Sequence, residues 1–144
     1  MKKVIIINGP NLNLLGKREE KIYGNKNFGL IMDELNTLAK GRIELDYFQS
    51  NHEGEIIDQV HKNIGKADYI VINPGAFTHY SYGIYDAIIS SRIPTIEVHI
   101  SNIFGREDWR SKSVISPGVK GIISGFGTEV YKMAIMYILE YLKN

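Results

Sequence analysis

Short β-branched runs alternate along this chain with longer stretches of helical period, and that alternation restricts the fold more than any other feature. Residues 4–8 form an almost continuous apolar run, as expected of a strand buried on both faces of a parallel sheet. Phe28, Ile31, Met32, Leu35, Leu38 and Ala39 then recur at helical spacing, with Gly41 as a stop. The pattern repeats. A strand is expected at Ile43–Gln49, and a helix marked by Ile56, Ile57, Val60 and Ile64, ending near Gly65. A strand at 69–72 follows, broken by Asn73-Pro74-Gly75, then a helix over 81–91. Strands at Thr95–His99 and 120–124 precede a last helix whose inward stripe reads Val130, Met133, Ala134, Tyr137, Ile138 and Tyr141. Five strands alternating with helices imply an α/β architecture, an open, doubly wound parallel sheet with right-handed crossovers. Periodicity leaves the strand order open. Ligands in such sheets bind beyond the carboxyl ends of the strands, which directs attention to the segments after the first, third and fourth.

Composition narrows the function. The 144 residues suit one domain spanning 1–144, and 44% hydrophobic content is enough to bury a core. With 17 basic and 16 acidic residues, the chain lacks the bulk charge that would draw it to nucleic acid or an anionic membrane. There is no cysteine, which removes disulfides, thiolate metal sites and cysteine nucleophiles together. The first apolar run is shorter than the roughly 7–15 residues a signal peptide needs, so a cytoplasmic location is expected. No GxxxxGK[ST] or early GxGxxG loop is present, which disfavours nucleotide binding through either motif.

Four segments carry unusual polar residues. In Glu97-Val98-His99, strand alternation puts Glu97 and His99 on one face, as a carboxylate-oriented acid or base or as a structural hydrogen-bonded pair. Asn73-Pro74-Gly75-Ala76-Phe77-Thr78-His79 makes a sharp turn that brings backbone close to a ligand and delivers His79. His79, Glu97 and His99 could together hold zinc, although their spacing matches no compact metal motif. The long segment from Gly9 to Gly24 contains Asn11, Arg18 and Tyr23. A guanidinium beside a phenol favours the phenolate, which makes Tyr23 a candidate base. In the stretch from Ile100 to Arg110, Ser101 and backbone N–H groups offer a carboxylate site, and Arg106 or Arg110 a cation. Trp109 reads as packing, and Gly125-Phe126-Gly127 as a helix–strand contact.

Taken together, these segments closely resemble the type II 3-dehydroquinate dehydratases. The likeness runs from Asn8-Gly9-Pro10-Asn11-Leu12-Asn13 with Arg18-Glu19 and Tyr23-Gly24, through Phe48-Gln49-Ser50-Asn51-His52-Glu53-Gly54 and Asn73-Pro74-Gly75-Ala76. It continues through Thr78-His79, Asp86-Ala87, Glu97-Val98-His99-Ile100-Ser101-Asn102, Arg106-Glu107 and Gly125-Phe126-Gly127. The resemblance implies a flavodoxin-like sheet of order 2-1-3-4-5. It also implies conversion of 3-dehydroquinate to 3-dehydroshikimate in the shikimate pathway, with no metal or organic cofactor. On the same basis Tyr23 is the base and Arg18 its neighbour. Asn11 holds a water on the enolate, and His99, supported by Glu97, is the acid. Ser101 and the Ile100 backbone would take the substrate carboxylate. Asn73, His79 and Arg110 would take its hydroxyls, and Asp86 would reach in from a neighbouring subunit of a dodecamer built from trimers. Two departures stand out. Tyr85 lies where arginine is expected, and Ser111-Lys112-Ser113 replaces a histidine-rich stretch, expected to stay clear of acid and base alike.

Other classes fit less well. A phosphoacceptor module needs acidic residues where this chain has Asn8 and Asn73, and a flavin carrier needs a Ser/Thr-rich loop where Gly9–Gly16 is rich in Asn and Leu. A relative with a changed substrate is the remaining alternative.

Overall fold

The computed structural model describes residues 1–17 and 26–141. Its parallel sheet contains β1 (Lys2–Asn8), β2 (Ile43–Gln49), β3 (Tyr69–Asn73), β4 (Thr95–His99) and β5 (Gly121–Ser124). The order is β2-β1-β3-β4-β5, which periodicity left open and the resemblance implied. Helices α1 (Phe28–Ala39), α2 (Glu53–Lys62), α3 (Tyr82–Ser91) and α4 (Glu129–Tyr141) cover its two faces.

Side-chain alternation in the strands divides the core into two layers. Val4, Ile6, Val71, Ile96 and Val98 face α1 and α4, where they meet Leu35, Val130, Ala134 and Ile138. Ile5, Ile7, Ile70 and Ile72 face α2 and α3, against Ile56, Val60, Ile84 and Ile88. All five residues of β3 and of β4 are buried; β3 accordingly reads as an apolar run over 69–72, whereas β4 buries Glu97 and His99 among its apolar residues. The helices start where capping chemistry lets them. Asn27 accepts a hydrogen bond from the Leu30 amide, and Ser81 from the Ile84 amide.

Three features differ from expectation. β1 begins two residues early, because Lys2 and Lys3 still pair with Ile43 and Glu44. Helix α2 stops at Lys62, so Ile64 lies beyond it in the exposed turn that reaches Gly65 at φ 76°. The third difference is rotational. On α4, Val130, Ala134 and Ile138 point inward as expected, but Tyr131, Ile135 and Leu139 complete the buried face, while Met133, Tyr137 and Tyr141 are exposed.

Candidate functional site

The carboxyl ends of β1, β3 and β4 open into one cavity lined by Asn11, Asn73, His79, His99, Ile100, Ser101, Arg106 and Arg110. Two loops form one wall and are held in close register. The Gly9 amide donates to the Asn73 carbonyl at 2.7 Å, and a Cβ on Gly9 would sit 2.4 Å from the Pro74 carbonyl oxygen. Gly75, at φ 59°, packs on Pro10, where a Cβ would lie 3.1 Å from the carbonyl oxygen. Only glycine fits at either point. Asn11 takes up a left-handed conformation at φ 68°, which asparagine tolerates better than most residues. Its backbone N–H donates to Asn51 Oδ1 at 2.9 Å, and Gln49 Nε2 donates to the Gly9 carbonyl at 3.1 Å.

The opposite wall carries the pair expected from strand alternation. His99 Nε2 donates to Glu97 Oε2 at 2.6 Å, with Glu97 fully buried and His99 nearly so. A carboxylate so deep needs more than one donor. Glu97 Oε1 accepts from Ser113 Oγ at 3.2 Å and from Ser116 Oγ at 3.0 Å. The Ser111-Lys112-Ser113 stretch makes no hydrogen bond to His99 among the described residues, but Ser113 braces its partner Glu97 directly. Ser116 went unnoticed in the sequence, where the only signal was a second serine three residues on, just before Pro117. The strand end that presents His99 is itself fixed from β5, since the Gly125 amide donates to the His99 carbonyl at 3.1 Å and the Gly127 amide to Ile100 at 2.9 Å. The Gly125-Phe126-Gly127 turn therefore holds the strand end that bears His99.

His79 Nδ1 donates to the Lys112 carbonyl at 2.7 Å, which leaves Nε2 as the ring's other nitrogen. Burial holds the His79 pKa below its usual value; the Lys112 carbonyl opposes that, while His99 and Arg110 push it further down. Trp109 is half exposed. It stands edge-on to His79 with centroids 5.2 Å apart, and the Arg110 guanidinium lies 4.0 Å from the center of its ring. Arg110 Nε also meets Glu107 at 3.2 Å. Arg106 donates to Ser101 Oγ at 3.1 Å, tying a guanidinium to the serine expected to receive a carboxylate.

Beneath Asn73 lies a buried polar chain with no counterpart in the sequence reading. Asn73 Nδ2 donates to the Tyr131 hydroxyl at 3.0 Å, and that hydroxyl donates to Asn8 Oδ1 at 2.7 Å. Burial pushes the Tyr131 phenol far above the ordinary tyrosine range. Tyr47 is also raised by burial, although the Asn8 amide beside it works in the other direction. Neither phenol is disposed to ionise.

Of the residues expected from sequence, Asn11, Asn73, His79, His99, Ile100, Ser101 and Arg110 share the cavity, with Glu97 directly behind His99. Asp86 does not line it; it is exposed on α3. Tyr85, before it, packs within 3.0 Å of where a Cβ on Gly118 would lie. Arg18 and Tyr23 fall outside the described residues. Among those that are described, no three His, Cys, Asp or Glu side chains gather closely enough to hold a metal ion, and no helix is long and apolar enough to cross a membrane.

Known proteins match this chain from end to end. The Dehydroquinase class II family profile covers residues 2–139. The chain is 55% identical over 144 residues to a 3-dehydroquinate dehydratase of Caldicellulosiruptor bescii, spanning 99% of each. In three dimensions it is similar to the type II dehydroquinase of Butyrivibrio crossotus, with a TM-score of 0.91 at 49% identity, covering 96% of this chain and 97% of the other. The type II dehydroquinase of Propionibacterium acnes gives 0.92 at 35% identity, with 97% of each chain covered.

Proposed function

This chain belongs to the class II dehydroquinase family, and we propose that it dehydrates 3-dehydroquinate to 3-dehydroshikimate by acid–base elimination within a single catalytic domain over 1–144. The observation that carries the reading is the buried Glu97–His99 pair at the floor of a cavity whose other side chains suit a small polyhydroxylated carboxylate.

Eliminating water from such a substrate needs a base, an acid and a stabiliser for the enolate between them. Tyr23 takes the C2 proton, with Arg18 favouring its phenolate; the raised Tyr131 and Tyr47 supply no rival phenolate. Negative charge moves onto the C3 carbonyl oxygen, met by a water held at Asn11. The enolate then re-forms the carbonyl and expels the C1 hydroxyl, which leaves as water on receiving a proton from His99. Glu97 holds Nε2, so Nδ1 is the nitrogen left to deliver that proton. Ser101 and the Ile100 backbone receive the carboxylate, while Asn73, His79 and Arg110 receive the hydroxyls. Protons and atoms balance, with one water released.

The enzyme works in the cytoplasm as a homo-oligomer, a dodecamer of trimers in which Asp86 reaches a neighbouring site. Exposed Met133, Met136 and Tyr137 on α4 and Ile122 on β5 support self-association.

The test is to add 3-dehydroquinate to purified, chelator-treated protein and follow the ultraviolet absorbance of the conjugated enone. A saturable rise is expected, with Tyr23→Phe slower by several orders of magnitude. No rise at high enzyme concentration sinks the activity, and a Tyr23→Phe protein of near-normal rate sinks the assignment of the base.

A further inference from the structure

The Tyr131 hydroxyl is the one polar group on the buried face of α4, and it is placed where the sheet meets the cavity. A phenylalanine would fill the same apolar space. The hydroxyl must be justified by its partners, since burying one costs free energy unless its hydrogen bonds are made. Both are made: it donates to Asn8 Oδ1 at 2.7 Å and accepts from Asn73 Nδ2 at 3.0 Å. Asn8 supplies nothing to the cavity lining. It is fully buried, and its Nδ2 has no hydrogen-bond partner among the described residues. An apolar residue at position 8 would avoid that penalty. What its side chain does make is the hydrogen bond it accepts from Tyr131, with the Tyr47 phenol beside it.

Direction follows from these contacts. With Asn8 presenting Oδ1, the Tyr131 hydroxyl donates to it and turns its lone pair toward Asn73, the direction that also lets the Gly75 N–H, which can only donate, meet Asn73 Oδ1. Asn73 must then present Nδ2 to Tyr131, with Oδ1 free to accept from the Gly75 amide at 3.2 Å. An asparagine amide could otherwise rotate by half a turn and exchange donor for acceptor. With Oδ1 and one N–H committed, Asn73 offers the cavity a single N–H donor, suited to a substrate hydroxyl oxygen. The Asn73 side chain lines that cavity and is itself buried.

We propose that Tyr131 is a positioning residue: clamped between Asn8 and Asn73, its hydroxyl fixes the Asn73 amide in the orientation that binds a substrate hydroxyl. The inference rests on the dehydratase reading given above. It requires that loss of the hydroxyl weakens substrate binding more than it slows the chemical step, because a contact made equally in ground and transition states acts on KM.

Steady-state kinetics on 3-dehydroquinate test it, using Tyr131→Phe, Asn73→Ala and the double variant. Tyr131→Phe should raise KM about tenfold, the worth of one hydrogen bond, with kcat within about threefold of wild type. The double variant should have the kcat/KM of Asn73→Ala alone, because Tyr131 acts through Asn73. If Tyr131→Phe only melts at a lower temperature and keeps the wild-type KM, the hydroxyl merely fastens α4 to the sheet and the proposal is wrong. Additive losses would overturn it as well. Should Tyr131→Phe fail to fold, Asn8→Leu, which removes the acceptor that orients the hydroxyl, carries the same test: an unchanged KM refutes the idea and a raised one supports it. A wild-type protein inactive on 3-dehydroquinate overturns the functional reading itself, and is seen before any variant is made.

Discussion

Replacing Glu97 by glutamine keeps the side-chain shape and removes one charge, and the surroundings dictate how the amide must sit. Ser113 Oγ already accepts from the Ile115 amide at 3.2 Å and the Ser116 amide at 3.0 Å, so its own proton is committed to residue 97. A glutamine must therefore turn its oxygen toward Ser113 and its NH2 toward His99. His99 Nε2, now facing a donor, has to accept, and the ring proton moves to Nδ1. The neutral ring can adapt in this way. The imidazolium cannot, because both nitrogens carry protons and one would confront the amide donor. Removing one partner from a buried charged pair costs about 3–5 kcal/mol. At about 1.4 kcal/mol per decade, the loss in kcat is roughly 10²–10⁴-fold.

The assay is enone formation at saturating 3-dehydroquinate, alongside thermal unfolding to show that Glu97→Gln stays folded. Nitrogen NMR of the histidine ring would place its proton on Nδ1. A folded Glu97→Gln enzyme within about fivefold of the wild-type kcat would refute the reasoning. The carboxylate would then be structural, and His99 would not need to carry positive charge during turnover.

Two further perturbations test the frame around the site. Burial lowers the pKa of His79 from 6.5, so below that pH the unfolded chain binds more protons than the folded one, and stability present above about 6.5 is lost as the pH falls toward the depressed folded value. In urea titrations His79→Gln should lose less stability than wild type between pH 7 and 5, on the order of the linkage expected for one lowered histidine; parallel curves would count against a half-buried imidazole with a lowered pKa. Gly9→Ala drives a Cβ to 2.4 Å from the Pro74 oxygen and should cost more than about 3 kcal/mol in urea unfolding. Gly54→Ala, in the first turn of α2 with nothing within 4 Å, should gain about 0.5–1 kcal/mol, and equal effects at the two sites would contradict the packing.

β1 and β3 were legible because their buried residues leave short apolar runs at 4–7 and 69–72, and β4 because β-branched residues follow Pro94. Helix α4 misled because it is apolar nearly all round. Val130, Ala134 and Ile138 belong equally to a stripe with Met133 and Tyr137 or to one with Tyr131 and Ile135. The charged residues held the answer: Glu129, Lys132 and Glu140 mark the outward direction, and Tyr131, Ala134 and Ile138 lie opposite. At the site, Glu97 and His99 could be paired from strand alternation alone, since they are two residues apart. Their braces could not. Ser113 and Ser116 reach Glu97 across 16 and 19 residues of chain, and Tyr131 reaches Asn8 across 123. Such contacts exist only once the chain has folded, and no local pattern announces them.

The same alternation that sorts the core also divides the chemistry. Asn8 follows Ile6 and Asn73 follows Val71 on the face covered by α1 and α4, which is why Tyr131 of α4 can join them. Glu97 and His99 alternate with Val98 and so occupy the opposite face, braced from the 113–116 turn. The cavity opens at the crest between these two layers, so that His99 reaches it from one side of the sheet and the Asn73 amide from the other. Each group is oriented by a buried network anchored in its own layer. Damage to one network should leave the other's contribution intact, so the losses in transition-state binding from Tyr131→Phe and Glu97→Gln should add, as expected for independent sites.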